Sequence, residues 1–79
     1  MEIKVIGSSS SNRMKLIKNI RKALKELNIN VIPSILDSEK EIMKYKNQNT
    51  PLFIVNDKII SSGKVLETKD IKKYILLLN

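Results

Sequence analysis

The chain has 79 residues, with 15 Lys and Arg against 8 Asp and Glu for a formal charge of +7, and it contains neither Cys nor His. That length suits one small domain, expected over residues 1–79, in which a single hydrophobic core has to suffice without disulfides. The missing thiols and imidazoles exclude thiolate nucleophiles, histidine general bases and the usual tetrahedral zinc sites, so neither a metal nor another cofactor is expected.

A first strand is expected over residues 2–6, where Ile3, Val5 and Ile6 are apolar, and Gly7 followed by Ser8, Ser9, Ser10 and Ser11 breaks it. Leu16, Ile17, Ile20, Ala23, Leu24 and Leu27 then recur every three or four residues. They form one buried stripe of a helix capped by Ser10 or Ser11 and ending near Asn28. A second strand is expected over residues 31–36; Pro33 cannot donate to a ladder and so places it at a sheet edge. Ser38 and Glu41 fit a capping box, predicting a helix to about Lys46 with Ile42, Met43 and Tyr45 on its apolar side. Two strands, residues 52–55 and 59–61, flank the turn-forming cluster Asn56-Asp57-Lys58 and predict an antiparallel hairpin closed by Gly63. The last helix is expected over residues 67–78, with Ile71, Tyr74, Ile75 and Leu78 on one face and Glu67 and Asp70 in the first turn. No apolar run approaches the ~20 residues needed to cross a bilayer, and the basic-then-apolar pattern of a signal peptide is missing. A cytoplasmic protein that makes no use of the membrane is the expectation.

The order strand, helix, strand, helix, strand, strand, helix is the minimal thioredoxin topology. Several motifs agree with it: Ile3-x-Val5-x-Gly7 before the first helix, Glu41-Ile42-Met43-Lys44-Tyr45 before the loop, Thr50-Pro51 before an apolar strand, and Ser61-Ser62-Gly63-Lys64-Val65 after the hairpin. Together they resemble the small thioredoxin-like, or glutaredoxin-like, proteins of archaea and bacteria called redox-active disulfide protein 2. The resemblance spans essentially the whole chain. It implies an α/β thioredoxin-like fold, βαβαββα, with a mixed four-stranded sheet and helices on both faces. It also implies a cis Thr50-Pro51 bond whose flanking backbone is exposed to pair with an extended peptide.

The departure from that family is equally informative. Its members carry a Cys-x-x-Cys at the start of the first helix, and the aligned residues here are Ser10, Ser11, Asn12 and Arg13. A serine hydroxyl forms no reversible disulfide, so dithiol exchange is chemically closed to these positions. Asn47 departs as well, at a place where family members tend to be apolar.

Each candidate has a plain reading beside a sharper one. The serine run serves as a turn and a helix cap; the sharper alternative is an anion site built from free helix N–H groups and Arg13. Lys15, Lys18, Lys22 and Lys25 share a face of the first helix, and Lys69, Lys72 and Lys73 can extend it into a basic surface attractive to acidic proteins or nucleic acid. A solvated lysine face explains the same pattern. No aromatic residue interleaves the lysines as a stacking platform requires, which argues against specific nucleic-acid recognition.

The leading expectation is a thioredoxin-fold protein without redox thiols that binds a protein or peptide. Its groove would be formed by Ser10, Ser11, Asn12 and Arg13 on one side and by Thr50, Pro51, Ser62 and Gly63 on the other. No residue is assigned a catalytic role. The alternative is a thiol-disulfide oxidoreductase of the same family in which Ser10 stands for a working cysteine, and a further alternative is a basic binder of acidic partners or nucleic acid.

Overall fold

The computed structural model describes residues 1–78. Its elements are β1 (Ile3–Ile6), α1 (Ser11–Glu26), β2 (Ser34–Leu36), α2 (Glu39–Met43), β3 (Leu52–Val55), β4 (Lys58–Ser62) and α3 (Thr68–Leu77). The sheet order is β2-β1-β3-β4. β2 runs parallel to β1, whereas β3 is antiparallel to both β1 and β4. Helices α1 and α3 cover one face and α2 covers the other, which makes this an α/β thioredoxin-like fold.

The alternation of strand side chains explains the two layers. Ile3 and Val5 of β1 and Phe53 and Val55 of β3 turn toward α1 and α3, where Leu16, Ile17, Ile20, Ala23, Leu24, Ile71 and Ile75 meet them. Ile6, Leu52 and Ile54 turn the other way, against Leu36, Ile42 and Tyr45. Both faces of β3 are therefore covered, and all four of its residues are buried.

Local signals hold where the chain meets its own neighbours. Ser10 is the N-cap of α1, its hydroxyl accepting from the Arg13 N–H at 3.1 Å. At the other end Asn28 takes a left-handed φ of 56°, and the amides of Asn28 and Ile29 bond back to Lys25 and Leu24, a Schellman closure. The hairpin turn is the two-residue Asn56-Asp57, with φ of 50° and 65°, so Lys58 joins β4 instead of the turn. Asn56 also braces the first strand: its amide donates to the Glu2 carbonyl and its Oδ1 accepts from the Glu2 N–H, each at 2.8 Å.

Several expected boundaries shift. β2 starts at Ser34, not at residue 31: with Lys4 set against Ser34, only Ile3 of β1 is left for the upstream residues, and Val31 and Ile32 lie beyond its end. β2 is nevertheless an edge strand, and Pro33 lies just before it. α2 ends at Met43; beyond it single turns, Tyr45 N–H to Ile42 O and Gln48 N–H to Tyr45 O, carry the chain onward. Only half of the capping box forms: the Ser38 hydroxyl accepts from the Glu41 N–H, while the Glu41 carboxylate takes the Lys44 ammonium at 3.1 Å. Met43 and Tyr74, both expected on apolar faces, are exposed. α3 begins at Thr68 with Glu67 as its N-cap. No helix among the described residues is long and apolar enough to cross a membrane.

Candidate functional site

Gly7 is the residue around which the expected groove is assembled. It ends β1 with a φ of +150°, and a Cβ there would stand 3.1 Å from the Thr50 Cβ and 3.5 Å from the Pro51 Cα. Only a residue without a side chain lets the Thr50 loop close onto the strand end. The Gly7 amide donates to the Leu36 carbonyl at 3.1 Å, and its carbonyl accepts from the Arg13 guanidinium at 3.0 Å. One glycine therefore ties together the ends of β1 and β2, the first turn of α1 and the Thr50 loop.

Arg13 lies in the first turn of α1, and its side chain folds back over the strand ends instead of reaching into solvent. The side chain is 14% exposed, and besides Gly7 it meets Asp37 Oδ2 at 3.5 Å. Its Nε is buried with no hydrogen-bond partner. A guanidinium held this way is spent on the scaffold, so the sequence-level anion site at residues 10–13 loses its main charged donor. Ser10, Ser11 and Asn12 remain exposed.

The Thr50-Pro51 peptide is cis, with Pro51 buried and Thr50 exposed. The loop leading to it is clamped from β4. The Ser62 hydroxyl accepts from the Asn49 N–H at 2.9 Å and donates to the Asn49 carbonyl at 3.0 Å, while the Gly63 N–H donates to the Pro51 carbonyl at 3.0 Å. Gly63 has a φ of +71°, and a Cβ there would lie 2.7 Å from Asn49 Cβ, so glycine is required on both counts. Among the described residues, neither the N–H nor the C=O of Thr50 makes a hydrogen bond. An extended chain passing Thr50 finds one open donor and one open acceptor there.

The sequence profile of the thioredoxin domain family matches residues 1–76. The chain belongs to that family. No curated protein and no solved structure matches the sequence significantly. In this thioredoxin domain the structure gathers Arg13, Thr50, Pro51, Ser62 and Gly63 around the Gly7 and Asn49 backbones, with Ser10 at the cap of α1. Asp37, Asn49 and the packing role of Gly7 were missed at the level of sequence. Asp37 was legible in part, since it is the acidic residue directly after an expected strand parallel to the first, whose end lies beside the helix start. Asn49 carried no signal of its own: it is held through its backbone, which every residue type possesses.

The basic surface divides into two unlike parts. Lys72 pairs with Glu26 at 2.8 Å and Lys69 with Glu67 at 3.6 Å, so the lysines of α3 are partly matched. The Lys72 ammonium, first through its hydrogen bond and then through its charge, holds the Glu26 carboxyl below its ordinary range. Lys15, Lys18, Arg21, Lys22 and Lys25 of α1 are exposed, and none makes an ion pair among the described residues.

Proposed function

We propose that this thioredoxin domain is a binding module for extended peptide segments of other proteins, using the Thr50 edge and the first turn of α1. The single observation that carries the reading is the unpaired N–H and C=O of exposed Thr50, on a loop pinned by Ser62, Gly63 and Gly7. A rigid edge with open main-chain groups binds a strand at low ordering cost, because its own backbone is already fixed. Ser10, Ser11 and Asn12 stand exposed to contact side chains of the bound segment. Catalysis by thiol exchange is closed to the chain, which has no sulfur nucleophile other than the inert thioether of methionine. A finer placement among the redox-active disulfide protein 2 proteins is supported by the Thr50-Pro51 and Ser61-Ser62-Gly63-Lys64-Val65 motifs, and a cytoplasmic location goes with it.

The test is selection of extended peptides from a displayed library against the full chain, followed by amide chemical-shift mapping with a selected peptide. Shifts centred on Thr50, Gly63 and the Ser10 to Asn12 amides are expected, together with protection of the Thr50 N–H from exchange. Ser11→Trp leaves the Ser10 cap in place yet fills the groove, and it should lower affinity about tenfold, a change of ~1.4 kcal/mol. Selected peptides that map elsewhere, or that bind Ser11→Trp as well as the native chain, would refute the assignment.

A further inference from the structure

A groove of about 360 Å³ separates α1 from β2, lined by Arg13, Met14, Ile17, Lys18, Arg21 and Ile35; Thr50, Pro51, Ser62 and Gly63 take no part in it. Met14, Ile17, Lys18 and Arg21 follow one another at helical spacing, so they form a single stripe along the side of α1 that looks toward β2. The stripe is apolar at its centre and cationic at its rim. Met14 is 65% exposed and Ile35 38% exposed, so the groove offers open apolar surface to a partner.

The wall of this groove is also a free strand edge. β2 pairs with β1 alone. Since the Leu36 carbonyl accepts from the Gly7 amide, it points into the sheet, and strand geometry turns the N–H and C=O of the preceding Ile35 outward. Two residues upstream Pro33 has the same orientation but no N–H, so Ile35 supplies the full donor and acceptor pair of this edge. The residue that offers main-chain pairing is thus the residue whose side chain lines the groove.

We propose that this edge and groove form a second peptide site, selective for an extended acidic segment of a partner protein. One apolar side chain of that segment sits among Met14, Ile17 and Ile35, its backbone pairs with Ile35, and carboxylates on either side of the anchor meet Lys18 and Arg21. Charge complementarity sets the sign of the partner. No carboxylate lines the groove, Lys18 and Arg21 have no ion pair among the described residues, and Lys15, Lys22 and Lys25 add to the same field on a chain of net charge +7. A nucleic-acid strand would find cations but no aromatic ring to stack on, and it would leave the apolar floor unfilled.

The probe is a synthetic heptapeptide alternating Glu with Ile and Leu, compared with its Gln-for-Glu counterpart and with a version N-methylated at the central amide. Titrated into the full chain, the acidic peptide is expected to shift the amides of Ile35 and of the α1 turn from Met14 to Arg21, leaving those of Thr50 and Gly63 unmoved. The Gln and N-methyl versions, and the exposed double change Lys18→Glu with Arg21→Glu, should each weaken binding about tenfold or more. Equal weakening by the double change Lys69→Glu with Lys73→Glu on α3 would show diffuse attraction and overturn the site. Shifts centred on Thr50 would assign the peptide to the other edge. Saturable binding of an oligothymidine to the same amides, with no binding of the acidic peptide, would replace the proposal with a nucleic-acid surface.

Discussion

Replacing Arg13 by Met tests whether its guanidinium serves the strand ends or merely an ion pair. The structure gives the two partners very different weights. Gly7 is buried, its carbonyl accepts from Arg13 at 3.0 Å, and no other donor reaches it among the described residues. Asp37 lies 3.5 Å away and is 62% exposed. A hydrogen bond from a charged donor contributes about 1.5–3 kcal/mol, and a buried carbonyl left without a donor costs about 1–3 kcal/mol. The exposed ion pair contributes at most ~1 kcal/mol. Against this, Arg13→Met removes a guanidinium whose Nε is buried and unpartnered, which offsets part of the loss. The expected net cost is therefore about 1–2 kcal/mol for Arg13→Met and under ~1 kcal/mol for Asp37→Ala, read as midpoint changes at constant slope in urea unfolding. For a domain of this size the first value corresponds to roughly 4–16 °C in thermal midpoint. An Asp37→Ala cost equal to that of Arg13→Met would show that the ion pair dominates. A stabilising Arg13→Met would show that desolvation outweighs both partners.

Other residues give sharper signs. Gly7→Ala should cost about 1–3 kcal/mol in the same unfolding assay, since φ is +150° and the new Cβ meets the Thr50 side chain at 3.1 Å. Ser62→Ala removes both hydrogen bonds to Asn49, and a loss of about 1–2 kcal/mol with faster exchange of the Asn49 and Thr50 amides is expected. Ser61→Ala has the opposite sign: the Ser61 hydroxyl is buried without a partner, so its removal should leave urea stability unchanged or raise it. Glu26, held below its ordinary range by its hydrogen bond to Lys72, stabilises the fold above the unfolded carboxylate range and loses that contribution as pH falls through the folded value. The native chain should accordingly exceed Glu26→Gln in stability at neutral pH, with the difference shrinking as the pH falls below the ordinary Glu range and the lowered Glu26 carboxylate takes up its proton.

Sequence by itself determined whatever depends on neighbours in the chain. The spacing of Leu16, Ile17, Ile20, Ala23 and Leu24 placed the buried stripe of α1, and the serine run narrowed its cap to Ser10 or Ser11, of which the fold uses Ser10, because helical periodicity and caps are set within a few residues. The hairpin and the covered strand β3 were legible for the same reason, and a count of cysteines is enough to show that the chain has no thiol for dithiol exchange. Tertiary structure decided what depends on reach. The apolar residues 31–33 look like strand, but in the register that sets Lys4 against Ser34 only Ile3 remains, opposite Pro33, and Val31 and Ile32 lie beyond the end of β1. Tyr74 shares a helical stripe with Ile71 and Ile75, yet the surface available to α3 buries only the latter two. Sequence places Arg13 in the first turn of α1; only the fold turns its guanidinium onto Gly7 and Asp37, residues that the chain brings near by ending two parallel strands side by side. The same juxtaposition of strand ends leaves Ile35 as an open edge beside the cationic flank of α1, a surface that no run of consecutive residues spells out.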